Sequence, residues 1–392
     1  MNTIFSLGII LLAGLFAAKI LRQIKFPAVT AYLLLGIVIG PHLLNLVSAG
    51  IINSSGLISN VVLSIIAFGL GQNFSREHFK KIGKSVLIIS VLEATGAWIS
   101  VTLALFFILK QKFYLSLLFG SIGAATAPAA TVMVIREYRA RGTFTNTLLG
   151  IVALDDAWCL IIFSISLAIA RALSLHLGAN ILLLKVFFHT LGQIIGAFLL
   201  GGAVGILLNW LGRFVKTRAD LLIITLSLIL LTTGVSILLD LSVLLSNMAL
   251  GTVLINLKKE NYGFFDILHS IDTPLFLFFF VLAGANLEIP LLPKIGVIAT
   301  IYFVFRIIGK VAGASLGAHL SEAISSVRKY IGFGLIPQAG VALGVALIAK
   351  ASFPEVGNFI FTTIVTATII FELTGPFATR FALRKAGEIE VN

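Results

Sequence analysis

The chain is poor in charge and almost without cysteine. Of 392 residues only 11% are Asp, Glu, Lys or Arg, against about 25% in soluble domains. Hydrophobic residues make up 59%, and the mean hydropathy is +1.10. No soluble core absorbs that much apolar surface, so most of it must face lipid or other buried helices. A soluble enzyme, a nucleic-acid-binding module and a disordered chain are thereby excluded. The single cysteine, Cys159, excludes an intramolecular disulfide framework and a cysteine-rich metal site. Acidic residues are scarce too: 28 Lys and Arg stand against 16 Asp and Glu. In a chain this apolar, that excess reads as basic loops beside a membrane rather than as a nucleic-acid footprint. The first apolar segment, Ile4 to Ile20, has no basic run before it and no small-residue cleavage pattern after it. It reads as a retained span, not a signal peptide.

A spanning helix needs about 20 predominantly apolar residues. Thirteen segments qualify, near 2–21, 27–46, 54–73, 84–109, 113–135, 146–170, 184–211, 219–238, 241–257, 272–288, 295–319, 329–350 and 357–378. The expected class is an all-α polytopic membrane protein, one transmembrane unit over 1–392 with no soluble domain. Loop charges support the count. Basic residues follow every odd-numbered span, from Lys19, Arg22 and Lys25 after the first to Arg380, Arg384 and Lys385 after the last, 20 of the 28 in all. By the positive-inside rule these loops are cytoplasmic, with the N-terminus outside and the C-terminus inside.

Ionisable groups at membrane depth are costly and mark function. Six are expected there: Glu93, Asp155, Asp156, Arg306, Lys310 and Glu372. Asp155 and Asp156 are adjacent, and on a helix they point about 100° apart, so they cannot share one job. Arg306 and Lys310 are four apart and share a face. Either can neutralise an aspartate, but only lysine gives a titratable pair. A structural salt bridge from Arg306 to Glu93 or Glu372 is the plain alternative. Gly309, Gly313 and Gly317 mark a close-packing face beside Lys310. Two spans carry mid-helix prolines among small or polar residues, at Thr126-Ala127-Pro128 and at Pro337-Gln338. Such helices are expected to break, and irregular backbone at this depth is tolerated only where it is buried or lines a cavity. A pair of them in the two halves of a chain points to a transporter's binding site.

These residues resemble the monovalent cation:proton antiporter-2 family, which includes bacterial sodium/proton antiporters. The resemblance covers the whole chain. It is carried by Asp155-Asp156 after Thr126-Ala-Pro, by Gly309-Lys310-Val-Ala-Gly313, and by Pro337-Gln338-Ala339-Gly340-Val341. Phe26-Pro27-Ala28-Val29 and Glu372-Leu373-Thr374-Gly375-Pro376 also fit. The family implies inverted repeats whose two broken helices cross, with core helices at about 84–170 and 295–378 and dimerisation or scaffold helices at about 1–73 and 184–288. It implies that Asp156 binds cation or proton, that Asp155 pairs with Lys310, and that Thr126 supplies polar groups near the ion. Gln338-Ala339-Gly340 stands where many relatives carry Arg-Gly-Glu, so a carboxylate is missing from that crossing.

The expected activity is exchange of sodium, or else lithium or potassium, for protons by alternating access. No cofactor is expected beyond the transported ions, and the partners are lipid and a second copy of the chain. Gly201 to Gly205 offers a small-residue face for such a dimer. Two other readings are weaker. An intramembrane aspartyl protease needs aspartates on different helices. A sodium-coupled organic-solute symporter has little need for the Asp155-Asp156 and Lys310 set.

Overall fold

The computed structural model describes residues 2–23, 28–77, 83–174, 179–215, 217–257, 262–338 and 340–389. Lys25, Phe26, Pro27, Lys80, Lys81, Lys216, Lys258, Lys259 and Ala339 lie outside the described residues. The described chain is helical, without strands. The main helices are α1 (Thr3–Gln23), α2 (Ala28–Ile39), α3 (Ser55–Gly71), α4 (Lys84–Leu103), α5 (Phe113–Gly123), α6 (Pro128–Glu137), α7 (Thr143–Ser174) and α8 (Ala179–Leu211). After them come α9 (Arg218–Leu238), α10 (Val243–Leu257), α11 (Tyr262–Ala285), α12 (Leu292–Leu320), α13 (Ser325–Tyr330), α14 (Gly340–Ser352) and α15 (Pro354–Lys385).

Among the described residues, eight helices are long and apolar enough to cross a membrane, and one bent pair makes a ninth. Four expected spans are represented by shorter apolar helices, at 30–39, 113–123, 243–257 and 273–285. Length alone therefore does not yield thirteen crossings, and that count rests on the loop charges. The second expected span, 27–46, is corrected: α2 ends at Ile39. Gly40-Pro41 follows, and the residue before a proline is pushed out of the helical region.

Both expected breaks are present. α5 stops at Gly123, residues 124–127 leave the helix, and α6 restarts with Pro128 in its first position. A proline costs nothing there, because that N–H has no intrahelical acceptor. The second break runs through Ile336, Pro337 and Gln338, after a 3-10 turn at Ile331–Leu335. The helical pieces on its two sides are bent by 50°. Pro274 and Pro376, by contrast, sit inside continuous helices.

The chain divides into two compact units. The first comprises Met1–Gly56, Ile82–Ile162 and Leu277–Asn392; the second comprises Leu57–Lys81 and Phe163–Phe276. In the first unit the expected glycine face packs α12 on α4. A Cβ on Gly313 would strike the Leu92 carbonyl and lie 3.0 Å from the Glu93 Cα, and one on Gly317 would lie 2.7 Å from the Ile89 Cα. Only glycine permits backbones this close.

The second unit is built on α8 against α10, around Phe68, Leu208, Ile229, Leu250 and Leu254, with Phe68 and Phe265 stacked at 4.7 Å. Gly201 lies against Ser246, Ala249 and Leu250, and Gly205 against Leu250 and Val253. The Gly201–Gly205 face is thus spent on α10 of the same chain. It is not the dimer seam that the sequence suggested.

Candidate functional site

α12 lines up Tyr302, Arg306 and Lys310 at four-residue spacing, one above another on a single face. All three are fully buried. This face meets both breaks. The helix that ends at Gly123 leaves carbonyls without intrahelical donors, and consecutive ones are taken in turn by the two cations. Arg306 Nε donates to the Gly123 carbonyl at 3.0 Å, Lys310 Nζ to Ala124 at 2.6 Å, and an Arg306 terminal nitrogen to Ala125 at 2.5 Å. Arg306 also donates to Ile336 at 2.5 Å and to Pro337 at 3.4 Å in the second break. One planar fork therefore ties the two unwound segments together. A lysine has no such geometry. The segments also bond directly: the Ala127 N–H donates to the Pro337 carbonyl at 2.9 Å, and Thr131 Oγ1 to Gly334 at 3.1 Å.

Among the described residues Arg306 makes no carboxylate pair. The alternative of a structural salt bridge to Glu93 or Glu372 is not what forms, because the freed carbonyls, which a sequence does not display, already fill the guanidinium. Its flat face rests on the Phe371 ring, 4.3 Å from the centroid.

Lys310 is the hub. Its ammonium donates to Asp155 Oδ2 at 3.0 Å, to Glu93 Oε2 at 2.7 Å and to Thr126 Oγ1 at 2.6 Å, besides the Ala124 carbonyl. Between Arg306 and Lys310, the partner of Asp155 is Lys310. Glu93, Asp155 and Lys310 have no solvent exposure. The Thr126 hydroxyl, which accepts from Lys310, donates in turn to the Leu335 carbonyl at 3.3 Å. Gln338 bonds the Ile122 carbonyl at 3.0 Å and the Tyr302 hydroxyl at 2.9 Å. Gln338 thus holds the crossing together through neutral bonds.

Asp156 is set apart from this network. It is 8% exposed while Asp155 is fully buried, as their angular offset on α7 requires. Its Oδ1 is buried and has no partner, and the same holds for Asp155 Oδ1 and Glu93 Oε1. Unpaired carboxylate oxygens are expensive to bury. The two on the adjacent aspartates make a region that suits a cation or protons.

The structure thus brings together Glu93, Thr126, Asp155 and Lys310, with Asp156 beside them and Arg306 and Gln338 bracing the crossing. Glu372 is elsewhere, accepting from Thr30 Oγ1 on α2 at 2.9 Å. Its neighbours on α15 touch the crossing: Phe371 under Arg306, and Gly375, whose Cβ would lie 2.7 Å from the Pro337 ring. Tyr302 was absent from the expected set, although its spacing from Arg306 and Lys310 was readable. The Ala124 carbonyl and Thr30 carried no such signal.

Residues 7–384 match the family model described as sodium/hydrogen exchanger, transmembrane. The chain is 24% identical over 392 residues to the ammonium/H+ antiporter subunit AmhT of Alkalihalophilus pseudofirmus, covering 98% of this chain and 96% of that protein. It is 22% identical over 327 residues to the high-affinity Na+/H+ antiporter NhaS3 of Synechocystis sp., covering 80% of this chain and 69% of that one. In fold it is similar to the sodium proton antiporter MjNhaP1 from Methanocaldococcus jannaschii, with a TM-score of 0.78 at 18% identity over 99% of this chain and 98% of that one. A second MjNhaP1 structure, from electron microscopy, gives a TM-score of 0.69 at 18% identity over the full length of both.

Proposed function

Since the chain belongs to the transmembrane sodium/hydrogen exchanger family, it is a cation:proton antiporter, and we propose that Asp156, with Asp155, is where cation and proton compete. The observation that carries this is the unpartnered Oδ1 of Asp156 on a residue that alone of the pair reaches a solvent-accessible surface. Burial disfavours the charged form of a carboxylate, so an empty, ionised Asp156 is costly and either cargo relieves it. The two cargoes use the same oxygens and exclude one another. Exchange follows if the loaded site crosses the barrier and the empty charged one does not. Carboxylate, hydroxyl and carbonyl oxygens suit a hard monovalent cation. Sodium is the first candidate and lithium and potassium follow. The likeness to an ammonium/H+ antiporter subunit adds ammonium to the cations to be tried.

The crossing held by Arg306 is the piece that moves, elevator-like, as the core of the transporter against a scaffold drawn from 1–73 and 184–288. The proposed setting is the cell membrane, with thirteen crossings, the basic loops and C-terminus in the cytoplasm and the N-terminus outside. The proposed assembly is a homodimer through a surface other than the Gly201–Gly205 face.

The test is purified protein in liposomes with a trapped pH dye, given pulses of sodium, lithium, potassium or ammonium. At least one cation should release protons, and its half-saturating concentration should fall as pH rises, because the competing proton becomes scarcer. Cation uptake without proton movement would contradict the reading.

A further inference from the structure

We infer that Glu93 is the fixed partner of Lys310 and that its task is to free Asp155 for the cation, a positioning role that rests on the exchange reading above. The first argument is a count of donors and acceptors. An ammonium has three N–H donors, yet Lys310 has four acceptors within 3.0 Å: Glu93, Asp155, Thr126 and the Ala124 carbonyl. If Asp155 turns away, three acceptors remain, one of them a carboxylate. The lysine is then neither stranded nor unpaired, whereas losing the only partner of a buried charge is strongly destabilising.

The second argument decides which carboxylate stays. Glu93 and Lys310 lie on α4 and α12, whose backbones touch on both sides of the pair. Cβ atoms on Gly309 and Gly96 would each lie within 2.6 Å of the other glycine's carbonyl, and Gly313 abuts Leu92 and Glu93. Helices locked at this distance cannot slide without clashing, so the Glu93–Lys310 contact at 2.7 Å persists. Asp155 comes from α7 at 3.0 Å and is the neighbour of Asp156 in sequence. Both aspartates keep a buried Oδ1 without a partner. An entering cation therefore finds a second carboxylate that can leave the lysine, because Glu93 does not.

The test uses the full chain in liposomes with whichever of sodium, lithium, potassium and ammonium gives the most proton release. Glu93→Gln keeps an acceptor but removes the charge, so Lys310 should hold Asp155 and the half-saturating cation concentration should rise at least tenfold, with maximal rate within about twofold. Adding Glu93→Gln to a Lys310→Met protein, which has no ammonium to hold, should change that concentration less than twofold. Asp155→Asn should fold to normal yield, since Glu93 still holds the lysine, and should bind cation more weakly. An unchanged half-saturation in Glu93→Gln would overturn the inference. So would a tenfold rise that persists in the Lys310→Met background, because Glu93 would then touch the cation itself. Loss of folded Asp155→Asn protein would overturn it as well, even if Glu93→Gln fails to fold. Failure of the wild-type protein to release protons would instead sink the exchange reading.

Discussion

The two units bury their polar groups in opposite ways. Among the described residues, every buried charged side chain, Glu93, Asp155, Asp156, Arg306, Lys310 and Glu372, lies in the first unit. The second unit buries hydroxyls and two amides, Gln193 and Asn247. Thr225, Thr232, Thr233 and Ser236 each donate to the carbonyl four residues back in their own helix. Thr233 and Ser64 bond across helices at 2.7 Å, and Asn247 donates to Thr233 at 3.0 Å. Hydroxyls and amides are the usual glue of membrane helices and contribute little each. Charges cost several kcal/mol apiece and are kept where a cargo must be bound. The contrast therefore separates packing from transport chemistry without reference to any relative.

The largest departure should come from Arg306→Ala. It leaves the Gly123, Ala125 and Ile336 carbonyls short of a donor, at about 1–3 kcal/mol for each left unsatisfied, while Pro337 keeps the Ala127 N–H. Transport should vanish and little monodisperse protein should survive detergent gel filtration. Arg306→Lys should not rescue it, since one ammonium cannot span both segments. Gly313→Val comes next: its side chain meets the α4 backbone at Leu92 and Glu93, and overpacking of this kind costs about 1–3 kcal/mol. A melt should show the loss, together with weaker cation-driven proton release as Glu93 and Lys310 are forced apart.

In the second unit the effects should be small. Thr233→Val removes the bonds to Ser64 and Asn247, about 0.6 kcal/mol by analogy with other membrane helices, and transport should stay within twofold of wild type. Smallest of all is Asp240→Asn. The exposed Arg171–Asp240 pair, at 3.0 Å, contributes about 0–1 kcal/mol, and the difference in melting point should disappear in high salt. A large loss of exchange in Thr233→Val would erase the contrast between the units.

How much of this was legible depended on the range of the physics. Membrane class followed from composition, and the breaks from Pro128 and Pro337 among small and polar neighbours. Proline alone is a poor sign, since Pro274 and Pro376 sit in unbroken helices. The α12 glycines were readable as a packing face, but not that the face meets α4. Glu93 was readable as a buried acid, but its partner lies 217 residues away and no local pattern joins them. The partners of Arg306 were not legible, because they are backbone carbonyls that are freed only once the helices break. The Gly201–Gly205 face was misread because small residues pack equally well within a chain and between chains.

The central claim is that Asp156 exchanges a proton for a cation on the same oxygens. Asp156→Asn tests it most directly, measured as cation-driven proton release from liposomes beside wild type and Asp155→Asn at matched protein density. The amide cannot trade a proton for a cation, so release should fall to the level of empty liposomes, while Asp155→Asn keeps a reduced, measurable rate. Substantial cation-coupled proton release from Asp156→Asn would contradict the account.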